Sequence, residues 1–253
     1  MDVLSLVLFL LAVAIGSYFQ ALTGFALGIF ILGGAIALQV STVSSTATAI
    51  NIMAMFNVAV ALRGSWRSVN GPMLLRTLSG VVPGIFVGLW LLNRLSERNS
   101  VLLQVFLGLL IVAGGIMLFV RPEPRSSRSH SISFAAAGLV GGVLGGLFAV
   151  PGPPVVYHYY RQPLAIEGLR TTLLAIFGTV AACRFLLVSV QGQVTSDALR
   201  MGLLSVPVVS LATWLYVRYP PAISDLAARR SAFVLLVVTG VFIAAMAVLP
   251  ASS

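Results

Sequence analysis

An all-α, polytopic membrane protein built from two similar halves is the fold the sequence predicts, and three observations predict it. Of 253 residues, 59% are hydrophobic and 8% are charged, against roughly 25% charged in a soluble domain. The apolar residues come in runs close to the ~20 that a helix needs to cross a hydrocarbon core of ~30 Å. Finally, Pro83, Trp90 and Arg94 recur as Pro207, Trp214 and Arg218 at one common shift, with Gly114 matched by Gly240 at a slightly longer one. This duplication divides a single membrane domain, residues 1–253, into a first repeat over 3–120, a linker over 121–131 and a second repeat over 132–250.

Taken in order, residues 3–22 and 25–38 are two apolar pieces parted at Thr23-Gly24. The second is too short to cross comfortably and is a candidate re-entrant segment. Residues 43–62 form a full span with Asn51 and Asn57 inside it, where asparagine more often bonds a neighbouring helix than a solute. A basic loop over 63–76 opens into the span 73–92, in which Gly80, Gly84 and Gly88 leave a flat seam for a neighbour's backbone. A tight loop with Arg94, Glu97 and Arg98 leads to the span 101–120. The linker, RPEPRSSRSHS, is expected to be solvated, with His130 exposed.

The stretch 139–160, LVGGVLGGLFAVPGPPVVYHYY, begins as a membrane helix and cannot continue as one. Pro151, Pro153 and Pro154 remove backbone donors and clash with the preceding turn, and Gly152 favours an open backbone. Gly141, Gly142, Gly145 and Gly146 read as close helix packing. The span 164–190 carries Arg170 and Arg184, whose spacing puts them within about 40° on one helix face. Glu167, three residues before Arg170, is expected to pair with it. Spans over 198–217 and 232–249 complete the second half.

Arginine counting sets the expected topology. If both broken segments are hairpins, the loops at 63–76, 121–128, 161–170 and 218–230 share one side and hold eleven arginines, against three at 94, 98 and 200. The crowded side should be cytoplasmic. Each half then crosses an odd number of times, which makes the halves inverted repeats in the inner membrane. Counting the broken segments as full spans gives other totals, including eight.

Composition also bounds the chemistry. The net charge of +9 comes with no lysine in the chain, so a GxxxxGK[ST] loop is excluded and with it ATP hydrolysis by that route. Nucleic acid is not an expected partner, because its recognition needs basic residues clustered on a soluble face. Cys183 stands alone, so no intrachain disulfide can form. The start at Met1-Asp2 lacks the basic region of a signal peptide, so the first segment is expected to remain in the membrane.

A backbone break at membrane depth survives only when buried in protein or lining a wet cavity, and one break per half is the sequence pointer to a transporter's substrate site. The expected substrate-binding residues are Gln20, Thr23, Gly24 and Phe25 at the first break, Asn51 on the next span, Pro151, Gly152, Pro153 and Tyr157 at the second break, and Arg170, Thr171 and Arg184. Helix N-termini after each break would present N–H groups to an anion. His158 and Glu167 are the candidates for proton coupling. No cofactor or metal is expected, and a homo-oligomer is possible.

Gly16, Gln20-Ala-Leu-Thr-Gly24-Phe-Ala-Leu-Gly28, the glycine-rich break ending at Pro151-Gly152 and the duplicated layout together resemble the TauE/SafE family, anion permeases that include proposed sulfite and organosulfonate exporters. The resemblance covers nearly the whole chain and implies a secondary transporter or permease moving a small anion, a sulfur oxyanion among them. The family's second break is usually a GxGGG-like turn followed by proline, and GGLFAVPGPP departs from it with extra prolines. Two other readings stand beside transport: a membrane-embedded enzyme, for which no buried acid pair or metal cluster is evident in sequence, and a non-transporting membrane assembly partner.

Overall fold

The computed structural model describes residues 3–38, 40–98, 100–119 and 125–220, with Val237 alone beyond them. The span expected over 232–249 and Arg121, Arg229 and Arg230 therefore lie outside the described residues. Among the described residues there are nine α-helices and one 3-10 turn, with no strand. The helices are α1 (Val3–Thr23), α2 (Leu27–Ala37), α3 (Val43–Ala61), α4 (Gly71–Arg98), α5 (Ser100–Phe119), α6 (Ser131–Phe148), α7 (Gly152–Tyr160), α8 (Ile166–Val190) and α9 (Ser196–Arg218). Six of them, α1, α3, α4, α6, α8 and α9, are long and apolar enough to cross a membrane.

Both expected breaks are present, and each folds the chain back on itself. A Cβ on Gly16 would sit 3.0 Å from Phe30 Cβ, and one on Gly34 would sit 3.0 Å from Ala12 Cβ, so α1 and α2 pack as an antiparallel hairpin. In the second half, Gly141 of α6 abuts Val155 of α7 and the Pro151 carbonyl in the same way. With 11 residues in α2 and 9 in α7, each rises only about 14–16 Å, half of a hydrocarbon core. The break in the second half lies at Ala149–Pro151, and Gly152, the first residue of α7, has the left-handed φ of +57° that glycine adopts freely. Pro153 and Pro154 occupy its first turn, where a missing N–H costs no helical bond.

The glycine seam joins the two halves. Gly84 and Gly142 face each other across α4 and α6, with a Cβ on Gly84 only 2.9 Å from Gly142 Cα, and a Cβ on Gly88 would be 2.8 Å from Gly146 Cα. Thr77 meets Gly138, Gly84 meets Gly142 and Gly88 meets Gly146. The residue numbers rise together, so α4 and α6 run parallel with backbones in direct contact. The expected tight loop at 93–100 is instead helical on both sides of residue 99. Arg94 lies in α4, its guanidinium carbon 5.8 Å from the Trp90 ring centre.

The loops sort to two ends. At one end Ser68 Oγ donates to Glu167 Oε1 at 3.2 Å, the Asn70 N–H to Thr172 Oγ1 at 2.9 Å, the Arg125 N–H to the Arg161 carbonyl at 2.8 Å and the Ser129 N–H to Gln162 Oε1 at 3.0 Å. This end gathers Arg63, Arg67, Arg125, Arg128 and Arg161. At the other end Ser45 and Thr195 hydroxyls lie 3.3 Å apart, and Leu6, Ser41, Asp197 and Arg200 line one cavity of about 330 Å³. In a Cys183→Ala background, single cysteines at 63, 125 and 161 are expected to be labelled from the cytoplasm, and one at 200 from the outside. Labelling of position 125 by an impermeant reagent on intact cells would reverse this orientation.

Candidate functional site

The first break is mostly occupied with satisfying its own backbone. Thr23 Oγ1 donates to the Phe19 and Phe25 carbonyls, both at 2.7 Å. Gln20 Oε1 accepts from the Leu27 N–H at 3.2 Å, which caps α2 from a side chain seven residues upstream. The amide of the same Gln20 donates to Asn57 Oδ1 at 3.0 Å, and Asn57 Nδ2 donates to the Ser17 carbonyl at 3.2 Å and to Thr213 Oγ1 at 2.7 Å. Asn57 is thus the interhelical bond that the sequence expects of an asparagine in a span, joining α1, α3 and α9. Gly24 turns at φ +84° against the Arg170 backbone, and Phe25 is buried.

Gln20→Leu is expected to leave the Leu27 N–H and Asn57 Oδ1 buried without partners. At about 1–3 kcal/mol for each orphaned group, the cost should be several kcal/mol. A thermal unfolding midpoint equal to wild type in detergent would contradict this use of Gln20.

Both breaks hold an alanine in the left-handed region, Ala26 at φ 102° and Ala149 at φ 59°, a conformation costing about 1–2 kcal/mol for a residue with a Cβ. The expected N–H cradle differs between them. Ala26 precedes α2 without a side-chain cap, so the Gly28 and Ile29 N–H groups are those a helix start leaves over. At α7, prolines at 151, 153 and 154 leave only the Gly152 N–H, so this helix start offers an anion one donor rather than several.

The two arginines of α8 do not converge, although they share a face by spacing. Arg170 Nη1 donates to Tyr216 Oη at 2.8 Å and its guanidinium lies over that ring, 5.6 Å from the centre. The expected Glu167–Arg170 pair does not form, since Arg170 turns inward to α9 while Glu167 is exposed and bonds Ser68. Tyr18 packs edge-on to Tyr216 with ring centres 5.4 Å apart. Arg184 is fully buried, at 0% exposure, and points to α6, its Nε donating to the Gly146 carbonyl at 2.9 Å. Its Nη1 and Nη2 have no partner among the described residues.

Asn51 is another buried group of this kind, at 0% exposure with both Nδ2 and Oδ1 unpartnered among the described residues. Thr171 is spent on the loop end, donating to the Glu167 carbonyl at 2.9 Å. Tyr157 is not at the site: it is exposed, with the Arg161 guanidinium 5.5 Å from its ring centre. One helical step further on, Tyr159 and Tyr160 take the inward positions. Tyr159 Oη bonds Thr77 and the Met73 carbonyl, and Tyr160 Oη donates to the Thr23 carbonyl at 3.1 Å, tying the last residue of α7 to the first break. His158 lies at the loop end of α7, outside the six spans, edge-on to Phe134 at 4.5 Å. Burial, then the charges of Arg125 and Arg161, hold its imidazole below the usual value.

The family model described as sulfite exporter TauE/SafE matches residues 8–243. The chain belongs to this family. It is also 34% identical over 225 residues, 89% of this chain and 88% of the relative, to the probable sulfite/organosulfonate exporter TauE of Cupriavidus necator. No solved structure matches. As a TauE/SafE member with six helices among the described residues long and apolar enough to cross a membrane, the protein is a multi-pass transport protein of the inner membrane rather than an enzyme.

Sequence reading did not single out Thr46, a buried hydroxyl on α3 with no partner among the described residues, nor Tyr160 as the tie from α7 to the first break. Threonines usually bond back to their own helix, so nothing in the sequence marks the one that does not.

Proposed function

We propose that this TauE/SafE protein is a secondary transporter or permease for a small sulfur oxyanion, sulfite or an organosulfonate, and that Arg184 beside the second break is the anion's counter-charge. The observation that carries this is a guanidinium with no exposed surface, one hydrogen bond and two unpartnered nitrogens. A buried charge with unmet donors is costly. Among the described residues the acids whose side chains are placed, Glu167 and Asp197, sit at helix starts near the ends of the bundle. An anion entering from solution would supply both charge and acceptors.

The relative's printed name supports the substrate class. Inverted repeats over 3–120 and 132–250 are part of the same proposal, supported by one antiparallel hairpin per half and by the matched prolines, tryptophans and arginines. Coupling to protons would run through His158, Glu167 or the substrate itself. Burial and the neighbouring Arg125 and Arg161 put the protonation of His158 below the ordinary histidine range.

Proteoliposomes holding only this chain, loaded with sulfite or taurine, are expected to release it faster than empty-bilayer controls. Folded, reconstituted protein giving no flux of any sulfur oxyanion would overturn the proposal. Product formation without flux would turn it toward an enzyme.

A further inference from the structure

We propose that the Arg184 site selects an oxyanion of single negative charge that carries its own O–H or N–H donor, because Asn51 presents it with an unmet acceptor. This rests on the reading of Arg184 given above. The Arg184 guanidinium supplies one positive charge and two free nitrogens, its Nε being held by the Gly146 carbonyl. Asn51 supplies a donor, Nδ2, and an acceptor, Oδ1, neither of them partnered among the described residues and the side chain wholly buried.

Helix geometry sets these two residues at one level of the bundle. Helices α3 and α8 run antiparallel, since Ser68 and Asn70, beyond the end of α3, meet Thr171 and Thr172 at the start of α8, while Val58 packs 2.9 Å from a Cβ on Gly178. Moving seven residues along each helix from that contact leads to Asn51 on α3 and Phe185 on α8. Two turns of α-helix return to within about 20° of the same face, so Asn51 points toward α8 as Val58 does, level with Arg184. Arg184 in turn follows Val180 by four residues, and Val180 Cγ1 packs 2.8 Å from a Cβ on Gly145, which turns the guanidinium to α6. The neighbouring Ile50 and Gly28 pack on one another, and Gly28 abuts Val150 of the second break. The junction of α3, α6 and α8 thus holds a cation, an amide and the start of α2.

An anion with only acceptor oxygens can satisfy the Arg184 nitrogens and Asn51 Nδ2, and it sets one of its oxygens against Oδ1 without a proton between them. A monoanion with a donor, such as hydrogensulfite, satisfies all of them at matched charge. A dianion exceeds the single positive charge. Sites built around a substrate donor reject analogues that lack it, because the site's own polar group is left unpaired.

Sulfamate and methanesulfonate test this directly: both are monoanionic sulfonates of nearly equal size, one ending in NH2 and the other in CH3. Titrated calorimetrically into the purified wild-type protein, sulfamate is expected to bind about tenfold more tightly, and sulfate more weakly than either. Asn51→Leu should bring the two sulfonates to equal affinity, whereas Arg184→Gln should abolish binding of both. Equal binding of sulfamate and methanesulfonate to wild type would overturn the inference, and this comparison needs no variant to fold. If that equality came with loss of binding in Arg184→Gln, the counter-charge reading would survive. If Arg184→Gln bound both as wild type does, the reading beneath would fail as well.

Discussion

Arg184→Gln is expected to insert and fold and to lose anion transport almost completely. Removing one partner of a buried, hydrogen-bonded charge pair costs about 2–5 kcal/mol, which is on the order of 30- to several-thousand-fold in affinity. Glutamine keeps hydrogen-bonding capacity at the Gly146 carbonyl, and the uncharged side chain relieves the burial cost that the arginine carries. The variant should therefore be no less stable than wild type while its uptake is lost, a combination that damage to packing would not produce. Arg184→Lys is expected to fall between them: it keeps the charge and lacks the planar fork that meets two oxygens at once. Wild-type uptake by Arg184→Gln, at equal membrane expression, would show that the arginine serves another purpose.

Gly80→Ala is expected to be the most damaging single methyl addition to the scaffold. A Cβ there would overlap the Ala135 carbonyl oxygen and stand 2.7 Å from the Leu139 nitrogen, and neither is a flexible side-chain end that could swing away. Overpacking typically costs about 1–3 kcal/mol, and two helix backbones in contact place this change at the upper end or beyond. Gly71→Ala is the control, since a Cβ at Gly71 meets nothing within 4 Å. Comparable yield and unfolding midpoint for the two variants would mean that α4 and α6 are not packed as described.

The fold was legible where sequence constraints are local. Proline placement and hydrophobic run length fixed the two breaks and the six long helices, and four-residue glycine spacing disclosed the α4–α6 seam before any partner was known. Residue roles were less legible because they depend on which neighbour arrives. Arg170 has Glu167 one turn away and takes Tyr216 of α9 instead, since α8 packs with that face inward. Gln20 and Thr23 have the chemistry of substrate ligands and are consumed by the hydrogen bonds of the broken backbone. Asn51 and Asn57 look alike in sequence. Only the positions of Ser17, Gln20 and Thr213 separate the asparagine that is bonded from the one that is not.

The contacts of α7 bear on how such a protein could let a solute through without leaking. Next to one end of this short helix Val150 abuts Gly28, and at its other end Tyr160 holds the Thr23 carbonyl, so it touches the opposite hairpin at both extremities. Separating the two hairpins would therefore break contacts at both places, so each helps to seat the other directly and not only through the surrounding scaffold.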